Sequence, residues 1–237
     1  MSKHLEHDLA QLEQSLLAQA ASAEEGICKA VLALQQRNVD LAEKVFAAAI
    51  DQARKEIQVE NECLKTLALH QPVAVDLRRV IGILKINSHL SRMSDLAVNI
   101  AERVQALTLL EEMAIPDRLQ NLADLAIAMV RKSLDSFLNA DARLAAKVIL
   151  LDDEVDCINR EIIEELIPAM QAVPRSVPAG ISLFSAVRHL ERIADHAGHI
   201  AEDVIYMVEG EIVGSGPHLA RPHRSSVSRL SDSSGVG

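Results

Sequence analysis

Residues 89–104 read HLSRMSDLAVNIAERV and residues 189–204 read HLERIADHAGHIAEDV, so nine of 16 positions are identical at a constant offset of 100 without a gap. Chance does not readily supply such a match, and a period this long means that one structural unit occurs twice. On a helical wheel Leu190, Ile193, Ala197, Ile200 and Val204 form one stripe spaced 3, 4, 3, 4, the signature of an amphipathic helix with a buried seam. Leu90, Met93, Ala97, Ile100 and Val104 do the same in the first copy. Working outward, Pro72, Pro116, Pro174 and Pro178 fall between long segments of helical periodicity. These breaks predict six helices at roughly 5–34, 39–70, 73–112, 117–138, 141–172 and 180–211. Asp40 and Glu43 suit a capping box for the second, Pro116 suits the start of the fourth, and Pro168 should kink or shorten the fifth.

Each repeat then holds three helices with the matched segment on the third. The fold class is all-α: two pseudo-symmetric three-helix bundles, residues 1–114 and 115–213, joined by short connections that favour antiparallel neighbours. Composition agrees. Aromatic residues are 2% of the 237 positions, with no Trp, which argues against a β-sandwich or barrel. Residues 214–237, GSGPHLARPHRSSVSRLSDSSGVG, carry almost no periodic apolar positions; the expectation there is a disordered tail.

The charge balance narrows the partners. With 24 Lys and Arg against 34 Asp and Glu, the net charge is −10, and no basic face is available to displace counterions from a nucleic acid. No apolar stretch reaches the ~20 residues that span a bilayer. The charged, periodic start MSKHLEHDLAQLEQ lacks an apolar leader segment. Cys28, Cys63 and Cys157 include no CxxC pair and read as free thiols in a reducing compartment, packed as small buried hydrophobes in helices. The cytoplasm is the expected location.

Opposite the buried seam lies an acidic stripe. Glu191, Asp195 and Glu202 fall there with His199 close by, and Glu191, Asp195 and His199 are spaced four apart on one face. The preceding helix carries Asp152 and Asp156, also four apart, beside its own apolar stripe. Adjacent antiparallel helices can bring these four carboxylates together. The first copy presents Ser91, Asp95, Asn99 and Glu102 instead. Spacing alone leaves two readings. One is a solvated face on which Arg188 and Arg192 pair locally with Glu191 and Asp195. The other is a metal site, whose oxygen ligands suit Mg²⁺, Ca²⁺ or Mn²⁺ and to which His199 would admit iron or zinc. A ferritin-like di-iron centre is excluded, because no Glu is followed three residues later by His. There is no GxSxG elbow, Walker A loop or GxGxxG. His89 and His189, at equivalent positions on the seam's edge, read as packing or hydrogen-bonding groups.

LALHQPVAVDLRRVIGILKINSHLSRMSDLAVNIAERV at 67–104, LLDDEVDCINREI at 150–162 and HLERIADHAGHIAEDVIYMVEGEIV at 189–213 together resemble the PhoU family of phosphate-transport regulators over about residues 5–213. The resemblance implies a cytoplasmic homodimer without catalytic activity that restrains the phosphate-starvation response. Its implied partners are a phosphate ABC transporter, through the ATPase subunit, and a sensor histidine kinase. It also implies metal binding through E/DxxxD motifs, which here fall on Asp152, Asp156, Glu191 and Asp195, with His199 where Asn is usual. Asp95 and Asn99 complete the candidate ligands in the first copy, and the metal itself is Mg, Mn, Fe, Zn or Ca. A metal-dependent phosphoesterase and a metal-storage bundle are the alternatives. Against the family pattern Ser91 replaces Glu, and Ala49 and Ala53 stand where Asp152 and Asp156 stand in the second half, with Glu56 and Glu60 nearby.

Overall fold

The computed structural model describes residues 3–110 and 113–210. They form α1 (Lys3–Gln36), α2 (Val39–His70), α3 (Ala74–Thr108), α4 (Arg118–Leu138), α5 (Ala142–Leu150), α6 (Asp152–Ala172), a 3-10 turn at Pro174–Ser176 and α7 (Val177–Glu209), with no strand among the described residues. Residues 214–237 lie outside this set, and with them the expectation of a disordered tail.

The seams read from the repeat are the core. Leu90, Met93, Ala97, Ile100 and Val104 on α3 are buried, as are Leu190, Ile193, Ala197, Ile200 and Val204 on α7. Each fully buried Leu, Ile or Val contributes roughly 1.5–3 kcal/mol relative to exposure. α1, α2 and α3 pack on one another; α7 packs on α4, α5 and α6. The two sets meet chiefly where α3 lies along α7, the most extensive contact of any helix pair, and secondarily where α1 touches α4. The repeated helices therefore face each other at the centre of the molecule.

The joints show why the chain turns where it does. α1 ends with Arg37 in the left-handed region at φ 50°, and the Asn38 N–H reaches back to the Ala33 carbonyl at 2.9 Å, a six-residue closing bond that satisfies an orphan carbonyl. Asn38 then caps α2, its Oδ1 accepting from the Leu41 N–H at 3.1 Å. This corrects the expected Asp40 box: Asp40 already lies in the first helical turn. Gln71 closes α2 at φ 46°, ahead of Pro72.

The expected fifth helix is interrupted. Asp141 caps α5 by accepting from the Arg143 and Leu144 N–H groups at 2.9 and 3.0 Å. Leu151 (φ −73°, ψ −15°) then separates α5 from α6. Its dihedrals stay close to helical, so the two segments continue as one rod with a local fault. Pro168 does not end α6, which runs on to Ala172. The missing N–H would have served Glu164, an exposed residue in the last turns, where the loss is tolerable.

Candidate functional site

Asp152 opens α6, half-buried, and Asp156 follows one turn later, exposed. Across from them on α7 lie Glu191 and Asp195, both half-buried. The Glu191 side chain is only 12% exposed and forms an ion pair with Arg188 one turn earlier. Burial raises its carboxyl pKa, and the neighbouring Asp195 and Asp156 charges raise it further against the pull of Arg188. Glu191 thus feels Asp195 on its own helix and Asp156 across the α6–α7 contact. The stripe is not simply solvated, because Glu191 is covered. Oxygen donors of this kind suit Mg²⁺, Mn²⁺ or Ca²⁺, but no three of these carboxylates bring ligand atoms within 4.8 Å of one another; among the described residues only a histidine cluster does so.

The first half is built differently. Ser91 donates its hydroxyl to the Glu56 carboxylate, while Asn87 Nδ2 donates to the Glu56 backbone carbonyl at 3.0 Å. Asp95 is exposed and pairs with Arg92 at 3.3 Å. Asn99 is half-buried, and its backbone carbonyl accepts from Arg103 Nε at 3.3 Å. Where the second half sets Asp195 and Asp156 near a Glu191 already paired with Arg188, the first presents one carboxylate held by a hydroxyl and another matched by a guanidinium. That donor set fits a hard cation poorly.

His199 belongs to a second constellation. It sits with His196 on α7 and His89 on α3, and one ring nitrogen from each lies within 4.8 Å of the other two. Ring centroids are 5.3 Å apart for His89–His196, 5.6 Å for His89–His199 and 6.0 Å for His196–His199. His89 Nδ1 and His196 Nδ1 are 3.1 Å apart, so one ring donates and the other accepts. Behind His89, Asp203 Oδ2 lies 3.6 Å from Nε2, and the same carboxylate is held by Lys85 Nζ at 2.6 Å. Burial, followed by the other two imidazoles, lowers the His196 pKa to about 4. Reading the sequence helix by helix misses this cluster. Its signal was the i, i+3 pair His196 and His199 on a helix whose repeat partner also carries a His.

His189, the repeat equivalent of His89, meets Ser185 Oγ at 3.3 Å, as expected of a hydrogen-bonding group. The thiols divide. Cys63 is buried, and burial pushes its pKa up to about 12, which leaves it inert as a nucleophile. Cys28 and Cys157 are exposed, contrary to the expectation that all three pack inside.

The fold and site define an all-helical protein of two related units with polar clusters along the repeated helices. A family model described as the PhoU domain matches this chain twice, at residues 17–104 and 119–204, and the chain belongs to that family. A phosphate-specific transport system accessory protein PhoU homolog from Aquifex aeolicus is 39% identical over 208 residues, covering 87% of this chain and 93% of that protein. One from Pseudomonas putida is 36% identical over 213 residues, covering 89% and 82%. The crystal structure of PhoU from Pseudomonas aeruginosa superposes with a TM-score of 0.82 at 33% identity, covering 87% of this chain and 99% of that one. That of the phosphate transport system regulatory protein PhoU from Streptococcus pneumoniae gives 0.82 at 31%, covering 88% and 99%.

Proposed function

We propose that this chain is a non-enzymatic regulator of phosphate uptake and phosphate-starvation signalling. It acts as a cytoplasmic adaptor between the ATPase subunit of a phosphate ABC transporter and a sensor histidine kinase, and it restrains uptake when phosphate is plentiful. The observation that carries this reading is the double family match, one copy per half, shared across most of the chain with relatives named as accessory proteins of phosphate transport. No helix among the described residues is long and apolar enough to cross a membrane; in this proposal the adaptor reaches the membrane complex through protein contacts. By binding one kinase conformation better than the other it shifts the kinase toward its inactive state.

The adaptor works as a homodimer in this proposal. Ile50 and Ile57 on α2, each 59% exposed, and Leu64, 53% exposed, recur every seven residues as an apolar row, a spacing that a second helix can cover. Asp152, Asp156, Glu191 and Asp195 hold a divalent ion that shapes the partner-facing surface of the second half.

The test is complementation. The chain is expressed in a bacterium whose own accessory protein of this kind has been deleted, and phosphate uptake and secreted phosphatase are measured in phosphate-rich medium. Restored repression, with co-purification of the transporter ATPase and the kinase, is the expected result. Unrepressed phosphatase and no captured partner would overturn the reading, and turnover of phosphoesters with Mg²⁺ or Mn²⁺ would favour a metal-dependent phosphoesterase.

A further inference from the structure

We infer that His89, His196 and His199 form a binding site for a borderline divalent transition ion, zinc first, at the contact between α3 and α7 and separate from the carboxylate patch. Three imidazole nitrogens already lie within 4.8 Å of one another, and the His89 and His196 Nδ1 atoms are 3.1 Å apart. Ligand atoms around a tetrahedral zinc with bonds of ~2.05 Å are about 3.3 Å apart, so this pair needs little adjustment, and a rotamer change in exposed His199 closes the third edge. Two ring nitrogens facing each other must otherwise share one proton; a metal ion replaces it.

The surroundings are those of a metal site as well. Ligating histidines usually present their other ring nitrogen to a carboxylate. Asp203 stands 3.6 Å from His89 Nε2, and Lys85 anchors it at 2.6 Å. That leaves Nδ1 as the ligand atom on His89, the atom that faces His196. His199 is exposed, so the fourth position opens to water. Imidazole nitrogen selects zinc, cobalt, nickel or copper over Mg²⁺ and Ca²⁺, the reverse of the α6–α7 carboxylates.

The repeat supplies an internal control. The positions equivalent to Lys85, His89, His196, His199 and Asp203 are Ser185, His189, Leu96, Asn99 and Arg103. Arg103 lies near enough to His189 to lower its pKa, after burial, so the mate site carries a cation and an apolar side chain where ligands would be needed. Among the described residues the site therefore occurs once.

The experiment uses the full chain with His218→Ala and His223→Ala in the background, so that these two histidines outside the described residues add no ligands. Chelator-treated protein is titrated with Co²⁺ in excess Mg²⁺ and then with Zn²⁺. One equivalent of cobalt with the intense visible absorption of a tetrahedral ion, displaced by one equivalent of zinc, is expected. His196→Gln and His199→Gln each weaken binding about 100-fold or more and abolish that spectrum, Asp203→Asn weakens it about 10- to 100-fold, and His189→Gln leaves it unchanged. Because His199 is exposed, its variant keeps the fold, which circular dichroism verifies. No tetrahedral spectrum in the parent, or one that survives His199→Gln, would overturn the site.

Discussion

At the α1–α2 turn a single arginine does two structural tasks at once. Arg37 adopts φ 50°, a conformation that costs an L-residue roughly 1–2 kcal/mol. Its guanidinium donates to the Leu107 carbonyl at 3.0 Å and to the Met113 carbonyl at 2.8 Å, which pins the end of α3 and the chain leaving it. Arg37→Ala keeps the strained backbone and loses both charged bonds, so it should destabilise by about 2–3 kcal/mol. Arg37→Gly loses the same bonds but relieves the φ, and should recover about 1 kcal/mol of that. Equilibrium urea unfolding of the two variants measures the difference; equal stabilities would mean that the backbone strain is not real. Nothing in the sequence around Arg37 announces this clamp, because its acceptors lie 70 and 76 residues away. The same distance problem hid the His89–His196 contact, whereas the nearness of Asp156 and Asp195 to Glu191 was legible because α6 and α7 follow each other in the chain.

Between elements, one long-range ion pair ties α1 to α4, hence one half to the other. Arg131 Nε donates to Glu24 Oε2 at 2.9 Å, and Nη2 engages Oε1 of the same carboxylate. This fork holds the Glu24 carboxyl below its ordinary value of 4.5. A depressed folded-state pKa means that the unfolded chain binds the proton more readily, so the pair stabilises the fold above the unfolded pKa and loses that contribution as pH falls through the folded one. Because Arg131 is 63% exposed, solvent screening keeps the pair's contribution small. Glu24→Gln should lower the melting temperature slightly at pH 7, and the gap should close as pH drops below 4.5. Parallel thermal melts from pH 7 to acid check this; a gap that persists in acid would assign the effect to packing. At this scale most helices were legible, since proline positions and seam periodicity mark them. The fault at Leu151 was not: Val148, Leu151 and Val155 continue the apolar spacing, so the pattern runs through a break that backbone geometry alone creates. The Asn38 cap was missed because Asp40 and Glu43 make the louder local signal two residues on.

The whole molecule is a repeat folded onto itself, with α3 against α7, and its chemistry is where the two copies have diverged. The repeat made the architecture readable, because one offset of 100 residues fixes which helices correspond and which faces are buried. It could not reveal that Glu191 is covered, since burial on the outer face depends on how α6 lies against α7. The divergence has a measurable consequence. In the second half Glu191 is desolvated, and Asp195 and Asp156 repel it against the pull of its partner Arg188, so a divalent ion bound there would relieve that repulsion. In the first half Ser91 stands at the position equivalent to Glu191 and donates to Glu56, Asp95 is matched by Arg92, and little charge remains to be relieved. A ligand that binds only the folded state stabilises it by its own binding free energy, about 2.7 kcal/mol at 100 times the dissociation constant. Mg²⁺ or Mn²⁺ should therefore raise the melting temperature of the chelator-treated protein, and Asp195→Asn should remove most of that rise by taking away a ligand charge. Asp95→Asn, which breaks only an exposed pair, should leave the rise intact. Scanning calorimetry of both variants with and without the ion decides it: equal losses would restore symmetry between the halves, and a parent protein indifferent to both ions would reduce the α6–α7 carboxylates to a surface feature of the bundle.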